Sequence, residues 1–196
     1  MSISEKRRPV SAGAIAIGAI GLLVACSVAN SNSPTAPVGY GFGKPVTDAE
    51  IRKWNIDVAP TGEGLPPGQG TAQEGAKVYA AKCAACHGPT GTEGPMPRLV
   101  GGQGTLATDH PVKTIGSYWP YATTLYDYIY RAMPYSAPQS LTPGEVYAVV
   151  AWLLVQNGLI TPDTIMDART LPAVRMPNRD GFVPDPRPDV PPRKVP

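Results

Sequence analysis

Metal-ligating side chains are scarce in this chain, which has three cysteines and two histidines among 196 residues. A structural zinc site needs four such ligands at matching spacing, and the chain does not supply them. No paired carboxylates stand near its one cysteine-rich motif, which argues against catalysis by this chain alone. Charge is also close to balanced, with 17 basic and 15 acidic residues. Nucleic acid is therefore not expected as a partner.

Long regular segments are few, because 24 prolines and 21 glycines interrupt the chain. Sustained helical patterning is confined to residues 70–158, which predicts one small core. No internal repeat is visible, so we expect one domain with this core and no second copy of it. A bound cofactor would then supply much of the apolar interior.

The cofactor is indicated by Cys83-Ala84-Ala85-Cys86-His87. Cys-x-x-Cys-His is the attachment sequence of a c-type haem, and on a helix its three reactive side chains share one face. Zinc binding, a thioredoxin-like redox pair and chance are the alternatives. A redox pair should follow a strand, whereas the preceding residues predict a helix. We therefore expect one covalently bound haem c.

The first 25 residues combine Lys6, Arg7 and Arg8 with an apolar segment, as export signals do. Three fates remain open: lipoprotein cleavage before Cys26 with acylation of its thiol, ordinary cleavage after Ala29, and retention as a membrane anchor. Residues 26–43 are rich in Asn, Ser, Pro and Gly and read as a flexible tether. The expected location is the periplasmic side of the bacterial inner membrane.

Capping boxes and apolar spacing predict an all-α domain over residues 44–160, with its core at 70–158. Residues 161–196 are predicted to form a proline-rich surface strap followed by a disordered tail. The four predicted helices span Asp48–Trp54, Ala72–Cys83, Tyr121–Met133 and Pro143–Gln156.

Met133 is the favoured sixth iron ligand, because it follows a helix end, precedes Pro134 and lies far from His87 in sequence. Met96 lies too near His87 to reach the opposite haem face, and His110 is the remaining rival. Met166 and Met176 follow the last helix and are expected to be packing residues.

The second ring nitrogen of His87 should donate to a carbonyl, which would hold the ring in place. Pro95, in a rigid Gly-Pro turn, is the predicted acceptor. Polar-tipped side chains near the site predict contacts with the haem propionates. These are Tyr118, Trp119, Tyr121 and Arg131.

Three runs outside the haem motif carry a family resemblance: residues 97–102 (PRLVGG), 116–121 (GSYWPY) and 176–182 (MPNRDGF). From about Gly43 to Phe182 the chain closely resembles the cytochrome c subunit of bacterial sulfite or sulfane dehydrogenases of the sulfur-oxidation system. The resemblance implies a class I cytochrome c fold, Met133 as distal ligand and a molybdenum-cofactor subunit as partner. Some members carry a second haem domain, which is not expected here because the sequence shows no internal repeat.

The leading hypothesis is that the chain takes electrons from that molybdenum subunit and passes them to a downstream cytochrome c or terminal oxidase. The strap would dock the dehydrogenase through its basic, extended backbone. One alternative is a free-standing membrane-tethered shuttle between respiratory complexes. A catalytic haem enzyme is a third possibility, but it needs an open or thiolate-ligated iron, which Met133 opposes.

Overall fold

The computed structural model of the chain describes residues 42–189. The chain divides into two units, residues 1–45 and 46–196. In the first unit only residues 42–45 are described, without helix or strand. The predicted export signal, Cys26 and most of the tether lie outside the described residues. No helix among residues 42–189 has the length and apolar character to cross a membrane.

The second unit is mainly helical, as the sequence predicted. Its elements are α1 (Asp48–Ile51), β1 (Gln69–Thr71), α2 (Ala72–Lys82), α3 (Ala84–His87), α4 (Ala122–Ala132), α5 (Pro143–Gln156), β2 (Ile165–Asp167) and a 3₁₀ turn (Leu171–Ala173).

Three of these helices begin at a complete capping box. Thr47, Thr71 and Thr142 each accept from the backbone of a glutamate three residues on, whose carboxylate binds back to the cap. The reciprocal pairing satisfies backbone donors that the first turn leaves free, and so marks each helix start. Helix α1 is shorter than predicted, because after Ile51 it tightens into i to i−3 turns up to Trp54, which is 86% exposed.

The core forms where α2 crosses α5. Helix α5 is buried all round from Val146 to Leu154, as expected of a helix enclosed by other elements. At the crossing, a Cβ on Gly75 would lie 1.9 Å from the carbonyl oxygen of Ala148. The two backbones can approach this closely only because residue 75 has no side chain.

A two-stranded antiparallel sheet joins the two ends of the domain, with Gly70 opposite Met166. The sequence did not predict it, because strands of three residues carry no periodicity. The strap residues after 160 are also more than a surface cover. Four of them belong to the core and are at most 8% exposed: Met166, Leu171, Val174 and Met176. The expected packing role of Met166 and Met176 agrees with this burial.

The loop between α3 and α4 is fastened to the end of α5 by Asn157. Its carboxamide oxygen accepts from Gly101 N at 3.0 Å, and its amide donates to the carbonyls of Leu99 and Leu153 at 3.2 and 2.9 Å. The residue is 6% exposed. This glycine- and proline-rich loop is therefore ordered by a buried side chain from a distant helix.

Candidate haem site

The Cys83–His87 motif forms a single helical turn immediately after α2. Cys83 ends α2 and caps α3, and its carbonyl accepts from Cys86 N at 3.1 Å and His87 N at 3.0 Å. Neither cysteine is in a disulfide. The turn brings both thiols and the imidazole to one wall of the same cavity.

That cavity has a volume of about 480 Å³, within the usual range for small-molecule sites. The five predicted site residues Cys83, Cys86, His87, Trp119 and Met133 all line it. Most of the remaining wall is apolar, and its members include Tyr79, Leu99, Ile115, Leu125, Ile129, Leu141, Val149 and Leu153. An apolar chamber with two thiols, an imidazole and a thioether fits a haem, whose porphyrin is apolar and whose iron takes nitrogen and sulfur ligands.

The imidazole of His87 is oriented by a backbone carbonyl, as expected, but the carbonyl belongs to Pro97. The distance from Nδ1 to Pro97 O is 3.0 Å. Because a carbonyl can only accept, Nδ1 carries the proton and Nε2 is left for a metal. The prediction that Pro95 is the acceptor was therefore wrong.

The reason lies in how the loop turns back over the motif. Met96 N donates to Cys86 O at 3.0 Å, and a Cβ on Gly94 would lie 2.1 Å from that same oxygen. The Gly94–Met96 turn thus packs against the motif backbone, and the next carbonyl along, that of Pro97, meets the ring.

Met133 lines the same cavity from the end of α4. It is the C-cap of that helix, with an extended backbone and its N–H donating to Ile129 O at 3.0 Å. Met96 also lines the cavity but is 52% exposed. His110 is exposed and is not among the lining residues. Met133 as sixth ligand remains a prediction that these positions favour.

Of the four residues predicted to bind propionates, only Trp119 lines the cavity. Arg131 instead forms a two-point ion pair with Asp127, which raises the pKa of the guanidinium through the side-chain hydrogen bond. Tyr118 packs edge-on against Phe182, and Tyr121 lies beneath the Arg179 guanidinium. Phe182 and Arg179 are distant in sequence from the loop, so local pattern did not reveal them. Asp127 lies one helical turn before Arg131, and the i, i+4 spacing of these two charges was a signal in the sequence.

The cavity wall contains three basic side chains that the sequence reading missed, those of Lys82, Arg98 and Lys113. None forms an ion pair in the part of the chain that the structure describes. Such cations suit the carboxylates of a haem edge. The sequence offered little to mark them as cavity residues. Arg98 lies in one of the runs that carry the family resemblance, residues 97–102, whereas nothing in the sequence distinguishes Lys82 or Lys113 from solvated lysines.

Burial raises the pKa values of two side chains that line the cavity, those of Cys83 and Tyr79. It raises the pKa of the Cys83 thiol to about 11, with the neighbouring Cys86 sulfur adding to the effect. It also raises the pKa of Tyr79 to about 12, and the Tyr79 hydroxyl donates to Gly88 O at 2.9 Å. The protonated, neutral thiol is therefore favoured at position 83. Residues 42–189 contain no cluster of three or more His, Cys, Asp or Glu side chains that could hold a metal ion.

Comparisons with known proteins identify the family. A family model described as cytochrome c oxidase, cbb3-type, subunit III, matches residues 70–153. The crystal structure of the sulfane dehydrogenase SoxCD from Paracoccus pantotrophus contains a chain that is 43% identical, with a TM-score of 0.71. The match covers 76% of this chain and 73% of that one. No curated protein matched.

The helical fold around a cavity with a Cys-x-x-Cys-His wall defines a class I c-type cytochrome, a family that carries haem c and transfers electrons. Within that class, the 43% identity to a chain of the SoxCD structure shows that this chain belongs to the SoxD-like cytochromes c.

Proposed function

We propose that the protein binds one haem c through thioethers at Cys83 and Cys86 and accepts electrons from a molybdenum-cofactor sulfite or sulfane dehydrogenase subunit. It then passes them to a downstream cytochrome c or terminal oxidase. The observation that carries the proposal is the 43% identity to a chain of the SoxCD crystal structure over 76% of this chain. The protein acts as the electron-transfer subunit and has no catalysis of its own.

The bound haem would supply an iron that gains and loses one electron at a time. Around it, this chain's residues do three things. Pro97 O holds Nδ1 of His87, so that Nε2 would be free to bind the iron. Met133 would offer a soft sulfur that favours the reduced state, and the apolar wall would limit water. Low reorganisation of such a fixed ligand set suits rapid one-electron exchange.

The sixth ligand is tested with Met133→Leu, using Met96→Leu as the matched control because both methionines line the cavity. We expect Met133→Leu to lose the weak methionine-to-iron absorption at the red end of the oxidised spectrum and to bind cyanide at once. Met96→Leu should retain the wild-type spectrum. An unchanged spectrum in Met133→Leu would reassign the ligand.

The partner is tested by purifying the tagged haem-loaded protein from its native membrane. A molybdenum-containing subunit should accompany it, and sulfite or thiosulfate should reduce the haem only when that subunit is present. Co-purification with an oxidase alone would favour the free-standing shuttle. Reduction by substrate without any partner would show that the chain is itself an enzyme.

The membrane attachment is part of the same proposal. Acylation at Cys26, or retention of the apolar leader, would hold the cytochrome at the periplasmic face of the inner membrane. Replacing Cys26 with serine should release the protein into the periplasmic fraction if the lipid is the anchor. Retention of Cys26→Ser in the membrane would instead favour the uncleaved leader.

A further inference from the structure

The segment 176–182, here called the C-terminal clamp, lies on the loop 116–121 that closes one side of the cavity. Asn178 Nδ2 donates to the carbonyl of Tyr118 at 2.8 Å. Phe182 meets the Tyr118 ring edge-on, with centroids 5.3 Å apart. The Arg179 guanidinium sits 4.7 Å from the centroid of the Tyr121 ring. A hydrogen bond, an aromatic contact and a cation–π contact therefore join the clamp to the loop.

The clamp has its own internal order. Met176, at its start, is 1% exposed and anchors it in the core. Arg179 N donates to Met176 O and Gly181 N to Asn178 O, both at 3.2 Å. A Cβ on Gly181 would lie 1.8 Å from Asn178 Oδ1. The Asn178 carboxamide is therefore packed against Gly181, where an added Cβ would displace it from its bond to Tyr118 O.

The loop connects the clamp to the cavity through one residue. Trp119 lines the cavity and packs edge-on against Tyr128, with ring centroids 5.7 Å apart. Tyr128 lies on α4 and also lines the cavity, and α4 ends one residue before Met133. A continuous set of contacts therefore runs from the clamp through Trp119 to the helix that presents the thioether.

We propose that Asn178 and Phe182 are positioning residues for the sixth-ligand side of the haem cavity. By fixing the Tyr118 backbone and ring, they keep Trp119 closed against α4 and keep water from that side. The clamp contacts the loop directly, at Tyr118 and Tyr121. The proposal rests on the haem ligation of the proposed function and assigns the clamp a role that needs no partner protein.

Loss of the clamp should have two measurable effects on the isolated haem protein. Water at the cavity stabilises the more highly charged oxidised iron, so the midpoint potential should fall. A loosened loop should also let an external ligand replace the thioether more often. Loss of one ordinary hydrogen bond should raise the cyanide-binding rate by roughly fivefold if binding waits for the loop to open.

The experiment compares Asn178→Ala and Phe182→Ala with the wild type in the haem-loaded full chain. Arg187→Ala is the matched control, because Arg187 lies beyond the clamp and pairs only with Asp185 on the surface. We expect a lower potential and faster cyanide binding in both clamp variants, no change in Arg187→Ala, and recovery in Phe182→Tyr. Gly181→Ala should reproduce Asn178→Ala, since it displaces the same carboxamide.

Wild-type potential and cyanide kinetics in both clamp variants would overturn the proposal. Should Asn178→Ala fail to retain haem, Phe182→Leu carries the same expectation with a milder change, since Phe182 is 50% exposed. A wild-type protein that lacks the methionine absorption would overturn the proposed ligation as well. Weaker binding of the dehydrogenase with an unchanged potential would assign the clamp to docking instead.

Discussion

Replacing Gly75 with alanine should force α2 and α5 apart at their closest contact. The added Cβ would lie 1.9 Å from Ala148 O, 2.4 Å from Ala148 C and 2.9 Å from Trp152 Cβ. Ordinary contacts of this kind begin near 3.4 Å. Neither of the closest atoms can rotate away, because both belong to the backbone of a buried helix.

Two opposing effects set the size of the change. Alanine is a better helix former than glycine by about 1 kcal/mol, which stabilises α2. Overpacking a close backbone contact costs about 3 kcal/mol, at the upper end of the usual range, since the required displacement is more than an ångström. The net loss is therefore about 2 kcal/mol of unfolding free energy.

The displacement should also reach the cavity. Tyr79 follows Gly75 by one helical turn and stacks on Trp152 with ring centroids 3.9 Å apart. Its hydroxyl bonds to the Gly88 carbonyl directly after the haem motif. Moving α2 outward should weaken this stack and loosen the motif.

Guanidinium chloride unfolding of the oxidised haem protein measures the effect. With a slope of about 4 kcal/mol per molar, a loss of 2 kcal/mol lowers the midpoint by about 0.5 M. Gly144→Ala is the matched control, because Gly144 lies on α5 and its nearest neighbour, Gln69 O, is 3.3 Å from the added Cβ. A wild-type or higher unfolding midpoint for Gly75→Ala, or an equal loss in Gly144→Ala, would show that the close helix contact does not limit the size of residue 75.

Three further outcomes are expected. Asn157→Ala should cost about 3 kcal/mol of unfolding free energy by denaturant titration, because buried backbone partners on the loop and on α5 lose their bonds; a loss below 1 kcal/mol would contradict this. The pKa of Glu93 is lowered from 4.5 to about 2, chiefly by a hydrogen bond from the Thr90 side chain. The Glu93 carboxylate therefore stabilises the folded state fully above pH 4.5, and this stabilisation is lost as the pH falls towards 2. In Glu93→Gln the unfolding free energy, measured by denaturant titration at several pH values, should therefore fall less steeply between pH 4.5 and 2 than in the wild type. An identical pH dependence would refute this. Arg131→Ala should leave the haem spectrum and potential unchanged, since the side chain pairs with Asp127 outside the cavity; an altered potential would restore its propionate role.

The sequence by itself determined the features that depend on neighbours along the chain. The limits of α5, Pro143–Gln156, agree with the prediction because a capping box, a first-turn proline and a following glycine are all local signals. The same holds for the start of α2 and for the Cys83–His87 turn. The fold class and family followed from these and from three short runs, and the comparisons confirm both.

Only the tertiary structure decided which distant groups meet. Pro97 rather than Pro95 receives His87 because the loop packs back over Cys86 O. Asp127 accepts from Val58 N at 2.8 Å, although the two residues are 69 positions apart. The pairing of β1 with β2 likewise joins residues far apart in the chain. Such contacts form where packing leaves room and a partner, and neither is encoded by the spacing of residues within one segment.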